Sequence, residues 1–245
     1  MYMYMSSNDY VLRPQNSGRS MYMWIYIFVL LIPLYGIVYL FNKKQYLVFA
    51  YIVSTIHALI VGCWGLWLLR DKDITERCLV DAPTDNWLLI HIIIAYLLAD
   101  AICVVIWHSK YDIVVHHLLS ACGLIIASHY RIGYGICVRF AITELSTIPL
   151  NICWYLRKRP NTSKYVLGLA ASILIIIFFL VRILPIPNML QQCYPQLWQH
   201  TQLPLFFLSI HTITYMLVMN IVWFYRIVLQ FIRVMLLPTL DKKNT

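Results

Sequence analysis

The chain has 245 residues, of which 61% are apolar and only 12% charged, and its mean hydropathy is +0.72. A soluble domain covers its surface with charge, and this chain has too little to do so. Its net charge of +9 is spread between apolar runs rather than gathered into a patch; that excludes a nucleic-acid partner and fits positive-inside membrane topology.

Lipid offers the backbone no hydrogen-bond partners, so the apolar runs must be helices. Ten-residue alternating segments are scarce, which argues against a β-barrel. In chain order, residues 1–20 are polar and irregular, with Ser6, Ser7, Asn8, Pro14, Asn16 and Gly18, and are expected to form a disordered tail. The run from Met21 is long enough to span, so it is not read as a cleavable signal. A spanning helix needs about 20 apolar residues. That ruler gives about seven spans, at 21–41, 46–69, 87–107, 112–130, 133–156, 164–185 and 204–230. The expected organisation is the tail, a first helix at 21–41, one transmembrane domain over 42–232 and a basic cytosolic tail at 233–245. Pro33 and Pro149 should kink their helices. The stretch 185–204 holds Pro185, Pro187, Pro195 and Pro204 and reads as a surface loop.

Basic residues mark one side: Lys43, Lys44, Lys110, Arg157, Lys158, Arg159, Lys164, Arg226, Arg233, Lys242 and Lys243. Asp71, Asp73, Glu76, Asp81 and Asp85 mark the other. Positive charge stays cytosolic, so the N-terminus is expected outside or in a lumen and the C-terminus in the cytosol. The sequon Asn161-Thr162-Ser163 then faces the cytosol and stays unglycosylated. Only Cys78 and Cys193 fall in lumenal segments, where a disulfide and two free thiols are both open.

Ionisable groups at bilayer depth cost about 2.5–3.5 kcal/mol each and usually face a bundle interior. Asp100, His116, His117, Arg139, Glu144 and Arg182 lie in apolar runs, joined by Asn151, Asn220, His57 and His211. Adjacent helical histidines diverge by about 100°. One can face a cavity while the other meets Asp100, whose carboxylate would fix its tautomer. That suits proton transfer or acyl transfer through imidazole. Glu144 lies two turns deeper than Asn151 on one helix face, and Arg182 is expected at the far, lumenal end of the cavity. His57 and His211 read as interhelical hydrogen-bonding groups. Asn151 and Asn220 are open to either role. No third metal ligand stands at a telling spacing, so neither metal nor cofactor is expected.

The stretch "LLADAICVVIWHSKYDIVVHHLLSACG…RFAITELSTIPLNICW" resembles the TLC family of membrane proteins, which includes ceramide synthases. "FFLVRILPIP" and "LVMNIVWFYRI" extend the likeness over roughly residues 40–230. It is strongest to the small TLC-domain proteins, whose pattern fits Asp100, His116-His117, Glu144-Leu145-Ser146, Asn151, Arg182 and Asn220. The resemblance implies an endoplasmic reticulum protein with a helical bundle around a central cavity. Ceramide synthases carry a His-Asp and a further Asp before the Glu, where this chain has Arg139-Phe140-Ala141. Ceramide synthesis is therefore not expected. Lys242 and Lys243 look like a dilysine retrieval signal; an ordinary basic flank also explains them.

Two functional readings stay open. In the first, the chain is an acyltransferase of lipid metabolism with acyl-CoA as co-substrate. His116 or His117 is then base or nucleophile, Asp100 its orienter, and Glu144 is grouped with them. Ser146, Asn151, Arg182 and Asn220 bind substrate. In the second, the same residues hold a membrane lipid in a protein that senses or adjusts lipid composition. A transporter is disfavoured by the absence of repeated halves.

Overall fold

The computed structural model describes residues 43–71, 87–107, 111–200 and 203–236. The expected first helix at 21–41, the tails and Cys78 lie outside them. Every element among the described residues is helical, and six spans are long and apolar enough to cross a membrane: Val48–Leu68, Leu88–Val105, Tyr111–Tyr130, Tyr134–Lys158, Lys164–Cys193 and Ile213–Met235. The elements are α1 (Lys43–Leu68), α2 (Leu88–Trp107), α3 (Tyr111–Tyr130), α4 (Tyr134–Thr143), a 3₁₀ turn (Glu144–Ser146), α5 (Thr147–Lys158), α6 (Lys164–Phe178), a π turn (Phe179–Ile183), α7 (Ile186–His200) and α8 (Leu203–Leu236).

Apolarity on all sides of a helix makes sense when its outer face meets lipid. On α1, Ile52, Ile56, Leu59 and Ile60 recur at helical spacing and are about half exposed. On α6 and the π turn that follows it, Val166, Leu169, Ile173, Ile176 and Leu180 form a similar outward stripe. The span in α2 is 67% buried, against 17–50% for the others, so α2 is the central post. It pairs with α3, while α1 packs on α4, the 3₁₀ turn and α5, and α6 packs on α5 and α8.

The apolar core fills one half of the bundle. Trp87, just before α2, and Leu89, Ile90, Ile93, Ile94 and Leu97 of its first half meet Val61 and Leu68 near the end of α1, Leu124 of α3, and Tyr134 and Val138 of α4. In that half His91 is buried and bonds Ser128 Oγ at 2.8 Å. The other half, where α1 and α3 begin and α5 and α8 end, carries the polar groups. Tyr51 of α1 stacks on Trp154 of α5 there, with ring centroids 3.8 Å apart.

α1 approaches the 3₁₀ turn through glycine. A Cβ on Gly62 would stand 2.5 Å from Leu145 Cδ2, and one on Gly65 would stand 2.9 Å from Ile142 Cγ1. Helix propensity gains about 1 kcal/mol in Gly62→Ala, but overpacking costs about 1–3 kcal/mol. The substitution is expected to lower the melting temperature in detergent, and adding Leu145→Ala should recover much of the loss. An unchanged melting temperature in the single variant would show that the two helices are not in close contact.

Three elements depart from the sequence reading. The fifth span does not simply kink at Pro149. It passes through the 3₁₀ turn Glu144–Ser146, because Pro149 offers no N–H to the carbonyl of Leu145. The sixth span ends in a π turn closed by the Leu184 N–H donating to the Phe179 carbonyl at 2.8 Å. Pro185, next in sequence, has no N–H for the Val181 carbonyl. Finally, 186–200 is a helix rather than a loop. Pro187 falls in its first turn, where a missing donor costs nothing, and only Pro195 interrupts its interior. Met189 and Cys193 of α7 pack on Ile136 and Leu217, and this burial outweighs the lost hydrogen bond. Cys193 is disulfide-bonded.

Candidate functional site

The polar residues form two clusters joined by one imidazole. In the first, His117 Nδ1 of α3 lies 3.2 Å from Asp100 Oδ2 of α2. The pair is at ion-pair distance, but the ring nitrogen meets no hydrogen-bond angle. No protein partner is described for His117 Nε2. His57 of α1, 8% exposed, is stacked on Tyr96 at 3.8 Å and lies within electrostatic reach of His117. Its Nε2 is buried and has no hydrogen-bond partner.

The second cluster is centred on Arg182, which the π turn directs inward and which is 7% exposed. Its Nε donates to Ser146 Oγ at 2.7 Å and to the Thr143 carbonyl at 3.2 Å. One terminal nitrogen donates to Asn220 Oδ1 at 3.1 Å. The other lies 3.8 Å from Glu144 Oε1, and Glu144 Oε2 accepts from Thr147 Oγ1 at 3.2 Å. The guanidinium also sits over the Phe178 ring, 5.2 Å from its centroid. A buried cation thus has a counter-ion and three acceptors, which is what makes its burial affordable in a low-dielectric bundle.

His116 links the two. It is 7% exposed, packs edge-on against Trp223 of α8 at 4.6 Å, lies 5.5 Å from the His117 ring and is within electrostatic reach of both His117 and Arg182. Its Nδ1 is buried without a partner. Ser120, one turn later on α3, donates to the His116 carbonyl at 2.7 Å and contacts Met216 of α8.

The divergence of the two histidines sends His117 towards α2 and His116 towards α8. The structure therefore brings together Asp100, His116, His117, Glu144, Ser146, Arg182 and Asn220. Arg182 does not occupy the far end of the bundle: the π turn carries it to the level of Ser146 and Asn220. Asn151 is buried and turned away to α1, its Nδ2 donating to Thr55 Oγ1 at 2.9 Å and to the Tyr51 carbonyl at 3.3 Å. Glu144 instead faces Arg182 of the π turn and Thr147, so the two side chains serve different neighbours. Asn151→Leu is expected to cost about 0.6–1.7 kcal/mol, the range for interhelical hydrogen bonds in membranes. The loss should appear in detergent melting and be non-additive with Thr55→Val; additive losses would show that the two side chains are not coupled.

Sequence reasoning set His57 aside, and only the buried, unpartnered nitrogen brings it into the site. Trp223 carried no signal separable from the other aromatics. His91 was overlooked in an apolar run, and Ser128 is its partner. Arg139 is held on the other side of the bundle by the Gly135 carbonyl at 3.3 Å and Gln192 Oε1 at 3.2 Å. The side chain of His211 lies outside the described residues. Among the described residues no group of three His, Cys, Asp or Glu side chains is arranged to hold a metal.

Asp100, His116 and His117, Glu144, Arg182 and Asn220 thus come one after another from five of the six described spans. The family model "TRAM_LAG1_CLN8: TLC domain" matches residues 50–229. The chain belongs to the TLC-domain family. One relative, TLC domain-containing protein 4-B of Danio rerio, is 30% identical over 192 residues, covering 72% of this chain and 70% of the relative. No solved structure matches the chain. As a TLC-domain protein with six described spans, it is a multi-pass membrane protein, and every residue of the two clusters falls inside the matched region.

Proposed function

We propose that this TLC-domain protein is a membrane enzyme of lipid metabolism that moves an acyl group from a thioester donor such as acyl-CoA to a lipid acceptor. The observation that carries the reading is the 3.2 Å approach of Asp100 Oδ2 to His117 Nδ1 inside the bundle. A small turn of the ring would let Nδ1–H donate to this carboxylate, as catalytic hydrogen bonds tighten when substrate binds, and that selects the tautomer whose Nε2 lone pair is free. That lone pair takes the proton of an acceptor hydroxyl or amine as its oxygen or nitrogen attacks the thioester carbonyl. The carbon–sulfur bond breaks, the thiolate leaves, and the proton on Nε2 passes to the sulfur. Arg182, paired with Glu144, holds Ser146 and Asn220, and this second cluster shapes the acceptor side.

The proposed setting is the endoplasmic reticulum membrane, with the N-terminus lumenal and the C-terminus cytosolic. The basic ends of α1, α5, α6 and α8 support that orientation. Purified protein given labelled acyl-CoA and a membrane lipid extract should form a labelled lipid, and the His116→Ala/His117→Ala variant should not. Equal transfer by both would remove the histidines from the chemistry.

A second reading rests on a different observation. His57 Nε2 and His116 Nδ1 are buried and unused, and acyl transfer through His117 does not require them. They suit a protein that holds a lipid hydroxyl and senses or adjusts membrane composition. Lipidomics of cells expressing His117→Ala, which leaves His57 and His116 in place, separates the two: catalysis predicts loss of one lipid product, binding an unchanged profile.

A further inference from the structure

The ends of α5 and α8 enclose a cleft of about 590 Å³ lined by Arg157, Arg226, Leu229, Gln230, Arg233 and Val234. Its volume falls in the range of small-molecule sites, about 300–1,000 Å³. Three guanidinium groups from two helices face it, and all three are exposed. Arg226 lies 3.5 Å from Asp112 Oδ2 of α3, a pair open to water on both sides. Among the described residues Arg157 and Arg233 have no ion pair. Arg159, by contrast, is stacked on Tyr155, 4.6 Å from its ring centroid, and bonds its hydroxyl.

Depth decides what the cleft meets. The span Tyr134–Lys158 ends beside Arg157, and the span Ile213–Met235 ends beside Arg233. Arg157 and Arg233 therefore stand at the level of the lipid phosphates, while Arg226 and Leu229 line the cleft one to two turns deeper on α8, towards the hydrocarbon. Guanidinium presents a planar fork of donors that matches phosphate oxygens, and basic pockets between transmembrane helices are suited to anionic head groups.

We propose that this cleft binds the head group of an anionic phospholipid, with Arg157, Arg226 and Arg233 on its phosphate. It is separate from the histidine site and stands whether or not that site transfers acyl groups. The favourable charge excess also predicts that binding weakens as salt is raised.

The test is native mass spectrometry of the full chain in mild detergent, with phosphatidylserine and phosphatidylcholine added in turn. Phosphatidylserine should be retained over phosphatidylcholine. Replacing all three arginines by glutamine should lower its retention on the order of 100-fold. Arg157→Gln/Arg233→Gln leaves the Asp112–Arg226 pair intact and should still lose most of the preference. Both variants change only exposed side chains, and an unchanged melting temperature confirms that they are folded. Equal retention of the two lipids by wild type, or wild-type retention by the triple variant, would overturn the proposal. Displacement of phosphatidylserine by millimolar glycerol 3-phosphate would also overturn it, by making the cleft a site for soluble phosphates.

Discussion

Arg182→Met is expected to lower the stability of the bundle by about 3 kcal/mol, the low end of the cost of removing one partner from a buried ion pair, because Glu144 is partly exposed. The variant leaves Glu144 without its counter-ion and Asn220 Oδ1 and Ser146 Oγ without their donor. It also unties the π turn from the 3₁₀ turn, so the two irregular segments lose the residue that joins them. Much of the cost is the uncompensated carboxylate. Arg182→Met/Glu144→Gln should therefore be more stable than Arg182→Met alone, because the amide removes the orphaned charge. Thermal unfolding in one detergent measures both. A single variant within about 0.5 kcal/mol of wild type would mean that Arg182 reaches lipid head groups or water rather than the interior cluster.

His117→Ala is expected to reduce acyl transfer by about 10²–10⁴-fold, the usual contribution of a positioned general base. Asp100→Asn keeps the volume but removes the carboxylate that selects the tautomer, so it should lower the rate in the same direction and by less. The two residues act as a unit, and the double variant should be no slower than His117→Ala alone. Neither substitution removes a formed hydrogen bond, so melting temperatures should move little. Full additivity of the two rate losses would show that Asp100 acts somewhere other than on His117. His57→Phe supplies a further contrast: it preserves stacking on Tyr96 but removes the unpartnered nitrogen. If that nitrogen contacts the lipid acceptor, the variant should raise KM more than it lowers kcat.

The membrane class and the span boundaries were legible because bilayer thickness sets a length and lipid forbids exposed backbone. Five of the six described spans begin within about two residues of their expected positions, and the last lies inside a longer helix. What was not legible arose where hydrogen-bond geometry, rather than apolarity, sets the backbone. The prolines of 185–204 suggested a loop, yet Pro187 sits where a helix needs no donor, and the burial of Met189 and Cys193 holds the rest. Pro149 and Pro185 were visible as breakers, but whether a helix answers by kinking, tightening to 3₁₀ or widening to a π turn depends on its neighbours. Those two turns are what redirect Glu144 and Arg182.

The polar inventory of the site could be read from cost alone, since ionisable side chains are expensive in hydrocarbon. Their pairing could not. Helical spacing related Asn151 to Glu144, but only the packing of α1 on α5 shows that its amide bonds Thr55 and Tyr51. Chain order placed Arg182 at the remote end of the cavity, and the π turn brings it to Ser146. His57 looked like any histidine in an apolar run. Its distinguishing property, a buried nitrogen with nothing to bond, exists only in three dimensions.

The central claim is that Asp100 and His117 form a partly buried acid–imidazole pair that acts on an acyl donor. Mass spectrometry of the lipids bound to purified protein, before and after incubation with isotopically labelled acyl-CoA, tests it most directly. The account predicts that wild type converts a co-purifying lipid into a heavier species carrying the label, and that His117→Ala retains the unconverted lipid. A bound lipid whose mass never changes in wild type, or the same labelled product in both proteins, would contradict it.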